Sequence, residues 1–168
     1  MIKPREKAPE IKIDLVNDTQ WKLSDQSPEN FTMIVFYRGK HCPICKKQLQ
    51  ELQRKLDKFT ERGIGVIAIS SDTEEVAKAT YEEWEIGDIP VGYNFSIEEA
   101  RNWGLFISKG IKKEPEYFTE PGLFILKPDG TVYWESIQSM PFARPSFNDV
   151  LSGIDYILNE GYPARGEA

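Results

Sequence analysis

Apolar positions along this chain switch between two periods. Ile11, Ile13 and Leu15 alternate with polar residues, which predicts a half-buried strand, and Asn17-Asp18 supplies a turn toward a partner strand through Trp21 and Leu23. Met33-Ile34-Val35-Phe36-Tyr37 is apolar throughout, the pattern of a strand covered on both faces. The period then changes. Cys45, Leu49, Leu52, Leu56 and Phe59 recur at helical spacing, and Gly63 stands where a helix would end. Ile64 to Ile69 reads as a second buried strand, so strand, helix and strand form a βαβ unit, whose crossover is expected to be right-handed.

Further along, Ser71 with Glu74 predicts a capping box that opens a helix through Val76, Ala77, Tyr81 and Trp84. Val91 to Phe95 reads as extended, and Ser96 with Glu99 opens a short helix that Gly104 closes. From Ile107 to Glu120 the chain is charged and irregular, and neither period emerges. Leu123 to Leu126 and Thr131 to Ile137 predict an antiparallel pair around the turn Pro128-Asp129-Gly130. Ser146 caps a last helix with Val150, Leu151, Ile154, Ile157 and Leu158 on its inner face, and the tail from Gly161 is expected to be loose. Trp84, Trp103 and Trp134 are assigned to packing. Without repeat or linker, residues 1–168 predict one α/β domain.

A net charge of −6 gives no field that would gather nucleic acid. No apolar run approaches the ~18 residues a membrane helix needs. The start Met-Ile-Lys-Pro-Arg-Glu-Lys has no apolar segment behind its charges, so a cytoplasmic setting is expected. No Gly-rich turn of the required spacing follows a strand, which argues against a nucleotide, flavin or nicotinamide cofactor.

That setting gives the stretch from Arg38 to Lys47 its interest, because it holds the only two cysteines, Cys42 and Cys45, and the only histidine, His41. In a reducing compartment such a pair is catalytic, redox-sensing or metal-binding rather than a staple. Two cysteines and His41 supply three metal ligands at best where a structural zinc needs four, so no metal is expected. Pro43 suits the first helical position, which makes Cys42 the N-cap and puts Cys45 in the first turn. Unpaired amides there favour a thiolate, but the dipole supplies only ~0.3–1 kcal/mol against about 1.36 for one pKa unit. Local cations must add more, and Arg38, Lys40, Lys46 and Lys47 flank the pair; a protonated His41 would contribute too. Cys42 is expected to be the more exposed thiol.

With these pieces in order, the chain resembles the peroxiredoxin-like (AhpC/TSA, redoxin) branch of the thioredoxin-fold superfamily. Ala8-Pro9-Glu10-Ile11 resembles the opening segment, Phe36-Tyr37 through Cys45 the active-site strand and loop, and Val66 to Asp72 the next strand. Ile89-Pro90, Ala100 to Leu105, and Gly122 to Leu126 with Pro128-Asp129-Gly130 resemble the later parts. The resemblance implies a central mixed sheet flanked by helices, an N-terminal β extension, and thiol-based oxidoreductase or antioxidant activity. In the family signature Pro-x-x-x-Thr/Ser-x-x-Cys, the cysteine falls on Cys45, while Arg38 stands at the proline and Cys42 at the hydroxyl position. The usual peroxidase arginine falls at Glu120-Pro121, which instead resembles the cis-proline turn of thioredoxin, with Pro121 facing the dithiol.

Three readings follow. In the first, Cys42 attacks a disulfide or oxidised substrate and Cys45 resolves. In the second, Cys45 reduces a peroxide, Cys42 resolves, and Arg38 or Arg144 replaces the missing arginine. In the third, the dithiol is a redox sensor without turnover. Reducing equivalents would come from an external thioredoxin, glutaredoxin or small thiol, and a homodimer is compatible with each reading.

Overall fold

The apolar run around Met33 to Phe36 lies at the centre of the sheet, with no exposed surface on any of its side chains. The computed structural model describes residues 1–168. Its elements in chain order are β1 (Lys12–Asp14), β2 (Gln20–Lys22), β3 (Phe31–Phe36), α1 (Pro43–Glu61), β4 (Ile64–Ile69), α2 (Glu74–Glu83) and β5 (Val91–Gly92). They continue as α3 (Ile97–Asn102), β6 (Ile107–Lys109), β7 (Tyr117–Thr119), β8 (Gly122–Leu126), β9 (Val132–Ile137) and α4 (Phe147–Glu160). The main sheet runs β5-β4-β3-β8-β9. Its β3, β4 and β5 are parallel, and β8 and β9 are antiparallel to their neighbours, so the sheet is mixed.

Alternation along β3 divides the core. Met33 and Val35 face one cluster with α1 and α4, while Ile34 and Phe36 face another with α3 and the β1–β2 hairpin. In that hairpin Ile13 pairs with Trp21, as the period-2 pattern predicts. From α1, Leu49, Leu52 and Phe59 are fully buried. At about 1.5–3 kcal/mol each, they favour seating the helix on the sheet by about 4.5–9 kcal/mol before ordering costs. Phe59 meets Phe147 of α4 edge-on at 5.9 Å.

Several sequence expectations are corrected. Helix α2 is capped by Thr73, whose hydroxyl accepts the Val76 amide, rather than by Ser71. The unread charged segment is a hairpin: β6 pairs antiparallel with β7, and Gly110 lets the joining loop fold back on Pro115. A Cβ at Gly110 would lie 1.9 Å from the Pro115 carbonyl oxygen. Within the extended segment from Val91, the strand β5 covers Val91–Gly92. Leu158 is 39% exposed, outside the inner face of α4. The tail is tied down, not loose: Arg5 donates to the Ala164 carbonyl at 2.9 Å, and Ala164 is buried. By contrast, the Ser96–Glu99 capping box of α3 and the Ser146 cap of α4 form as expected. No helix is long and apolar enough to cross a membrane.

Candidate active site

Strand β3 delivers the chain to a turn, Arg38 to His41, from which α1 starts. Cys42 has extended backbone angles (φ −108°, ψ 104°), as an N-cap must, and its sulfur accepts the Cys45 amide at 3.2 Å. Pro43 takes the first helical position, where its missing donor removes no hydrogen bond. The turn is closed by the Cys42 amide donating to the Gly39 carbonyl at 3.2 Å. Both cysteines are free thiols. Neither is open to solvent: Cys42 is 1% exposed and Cys45 0%, so the expected difference in exposure between them is absent.

The cation against the sulfurs comes from far along the chain. Arg144 Nη2 lies 3.0 Å from Cys45 Sγ and 3.6 Å from Cys42 Sγ. Its other nitrogens are held, Nε by the Pro141 carbonyl at 2.8 Å and Nη1 by Gln48 Oε1 of α1. The guanidinium is thus fixed between the loop before α4 and the first turns of α1.

The four flanking cations act elsewhere. Lys46 and Lys47 are exposed. Lys40 pairs with Glu83 at 3.0 Å. Arg38 pairs with Glu120 at 3.1 Å and Glu114 at 3.7 Å, and stacks on Phe118 at 4.7 Å. Two of the departures from the family signature therefore meet in space: the arginine at the proline position neutralises the acid at the arginine position. His41 lies edge-on to Phe118 at 4.5 Å. Burial and the Arg38 charge lower its pKa, so it is neutral at pH 7 and adds no charge to the thiols. The Glu120-Pro121 bond is trans, which corrects the expectation of a cis proline. Glu120 is tied into the β6–β7 hairpin through Ser108 Oγ at 2.6 Å, and the Pro121 carbonyl accepts the Gln138 amide at 3.0 Å.

Electrostatically the thiols behave as a pair. The hydrogen bond from the Cys45 thiol, then the Cys45 amide and the Arg144 charge, pull Cys42 down to about 5 against the opposing effect of burial. Burial and that same hydrogen bond push Cys45 up. One proton leaves the pair readily and the second with difficulty, with Cys42 the lowered member and Cys45 the raised one. Chemically this is an activated thiolate next to a protonated thiol, the arrangement that nucleophilic attack followed by disulfide closure requires.

Two residues at the site escaped the sequence reading. Gln48 follows Cys45 by three positions on α1 and shares its face, a signal that was available. Asp72, just after β4, is 7% exposed and accepts the Lys40 amide on Oδ2 at 2.8 Å. No local pattern marks it.

The AhpC/TSA family profile matches residues 4–135 of this chain. An alkyl hydroperoxide reductase C from Staphylococcus saprophyticus is 25% identical over 120 residues, which cover 71% of this chain and 62% of that protein. This chain therefore spans about three-fifths of the length of the hydroperoxide reductases it matches. A putative peroxiredoxin in a rubredoxin operon of Clostridium pasteurianum is 25% identical over 146 residues, 82% of this chain and 79% of its own. Among solved structures, the peroxiredoxin 6 of Arenicola marina superposes with a TM-score of 0.82 at 19% identity, covering 96% of this chain and 76% of that one. The peroxidoxin BcpB of Mycobacterium tuberculosis gives 0.76 at 16% identity, covering 94% and 99%. These superpositions establish a peroxiredoxin-like thioredoxin fold.

Proposed function

The chain belongs to the AhpC/TSA family, and we propose that it is a thiol-dependent antioxidant enzyme that reduces hydroperoxides with the Cys42–Cys45 dithiol. The observation that carries the reading is the single guanidinium nitrogen of Arg144 set against both sulfurs at the start of α1. The Cys42 thiolate attacks the distal peroxide oxygen, breaking the O–O bond. It becomes a sulfenic acid, and the alcohol or water leaves with a proton from solvent. The Cys45 thiol then attacks the Cys42 sulfur, a disulfide forms, and water leaves. Two electrons from an external thioredoxin, glutaredoxin or small thiol restore both thiols. In this reading Arg144 stabilises the thiolate and also the negative charge that develops on the leaving oxygen. Burial of both sulfurs favours a small peroxide over a protein disulfide as the first substrate.

A second reading, in which Cys45 attacks first, has one observation in its favour: Arg144 Nη2 is closer to Cys45 than to Cys42. The depressed Cys42 thiol favours the first order. Peroxide consumption with dimedone trapping separates the two. Cys45→Ser should accumulate a trapped sulfenic acid on Cys42, and Cys42→Ser should consume no peroxide beyond background. Trapping on Cys45 in Cys42→Ser, with peroxide consumed, would reverse the order. Absence of rapid peroxide consumption by the wild type would leave disulfide reduction or sensing as the function.

A further inference from the structure

The turn that presents Cys42 is moulded around a buried carboxylate. Gly39 adopts φ +136°, and a Cβ there would stand 2.5 Å from Asp72 Oδ1 and 3.0 Å from both Cγ and Oδ2. The glycine backbone thus lies directly on the carboxyl group, and the next amide, from Lys40, donates to Oδ2 at 2.8 Å. On its other side the same turn accepts the Cys42 amide through the Gly39 carbonyl. Asp72 is itself fixed: its amide donates to Ser70 Oγ at 3.2 Å and its carbonyl accepts the Asn94 amide at 2.8 Å. A rigid chain of contacts therefore runs from the end of β4 to the N-cap of α1.

We propose that Asp72 is a positioning residue of the dithiol: its carboxylate clamps the Gly39–Lys40 turn and thereby holds Cys42 where its sulfur accepts the first-turn amide. The inference rests on the reading that the dithiol is the reactive centre. Glu83 takes the Lys40 ammonium, so the clamp acts through the backbone amide rather than through a side-chain ion pair. The groups around the carboxylate are Lys40, His41 and Tyr37 from the active-site segment, and Lys113 and Glu114 across a cavity of about 600 Å³ beside β6–β7. Burial raises the Asp72 carboxyl to about 6 while the Lys40 amide and charge oppose it, so the clamp weakens as pH falls through that value.

Two measurements on the reduced protein test this, and neither reads turnover, so they stand whether or not peroxide is the substrate. The first is thiolate absorbance against pH. Loss of the clamp relaxes the cap, so Asp72→Asn should move the Cys42 midpoint up by about half a pH unit and Asp72→Ala by about one. A carboxylate acting only through space predicts the opposite, since removing an anion eases formation of another. A midpoint that falls or stays in place overturns the proposal. The second is NMR of the wild type. The Lys40 amide proton should move upfield through one inflection near pH 6 as Asp72 protonates. An amide that does not titrate overturns the clamp even should either variant fail to fold.

Discussion

Removal of the Arg144 guanidinium should produce a defect that is large in mild acid and nearly vanishes in mild base. The side chain donates to both sulfurs from one nitrogen in a site closed to solvent, at 3.0 and 3.6 Å. A hydrogen bond to a charged group is worth about 1.5–3 kcal/mol. Divided by 1.36 kcal/mol per pKa unit, that loss moves the first ionisation of the pair up by about 1–2 units. Starting from about 5, the Arg144→Ala variant should ionise between about 6 and 7. At pH 6 the thiolate fraction then drops from about nine-tenths to between about a half and a tenth, whereas at pH 8 it stays above about nine-tenths. Iodoacetamide alkylation and thiolate absorbance, both followed from pH 4.5 to 8.5, measure this directly. Arg144→Lys should recover part of the shift, because an ammonium keeps the charge but not the planar fork that also reaches Gln48 and Pro141. An Arg144→Ala midpoint equal to wild type would refute the assignment of the guanidinium to the thiolate.

Two further outcomes concern stability. Leu49→Ala on α1 removes a fully buried side chain and should cost about 2–5 kcal/mol, read as a lower urea midpoint at unchanged slope. Asp72 is a clamp bought against its own solvation: its folded pKa is raised, so the native state holds a proton that the unfolded state releases, and stability from this group falls as pH rises from about 4 to about 6. Asp72→Asn should therefore gain stability at pH 7 relative to its gain at pH 4, by up to about 3 kcal/mol, measured by urea denaturation at both values. An equal gain at both would mean that the carboxyl is not desolvated.

Local chemistry was readable from the chain wherever the structure is held by neighbours. Pro43 and Cys42 at the start of α1, the Ser96–Glu99 box and the unbroken apolar β3 each satisfy their own backbone or one flat core face. The cap of α2 was misplaced by two residues because Ser71 and Thr73 are equally good cap chemistries, and only the course of the chain after β4 selects Thr73. The β6–β7 hairpin was illegible because its strands are three residues each and only Phe118 and Thr119 among them are deeply buried, too short a run for a period to emerge. At the site, the spacing of Cys42 and Cys45 exposed the dithiol, but the flanking cations misled. The charges of Arg38 and Lys40 are answered by Glu83, Glu114 and Glu120, acids supplied by other elements, while Lys46 and Lys47 are exposed. Which arginine reaches a sulfur is a matter of how β9 and α4 pack, and no short-range pattern encodes that.

The separation of Arg144 from Cys42 by 102 positions also has a meaning in time. A ribosome adding roughly 5–20 residues per second finishes the cysteine segment about 5–20 s before it reaches this arginine. Over that interval the nascent chain carries two thiols without the guanidinium that lowers their ionisation. The part of their reactivity that depends on this guanidinium is therefore acquired only once the segment carrying Arg144 has been made and has closed on α1.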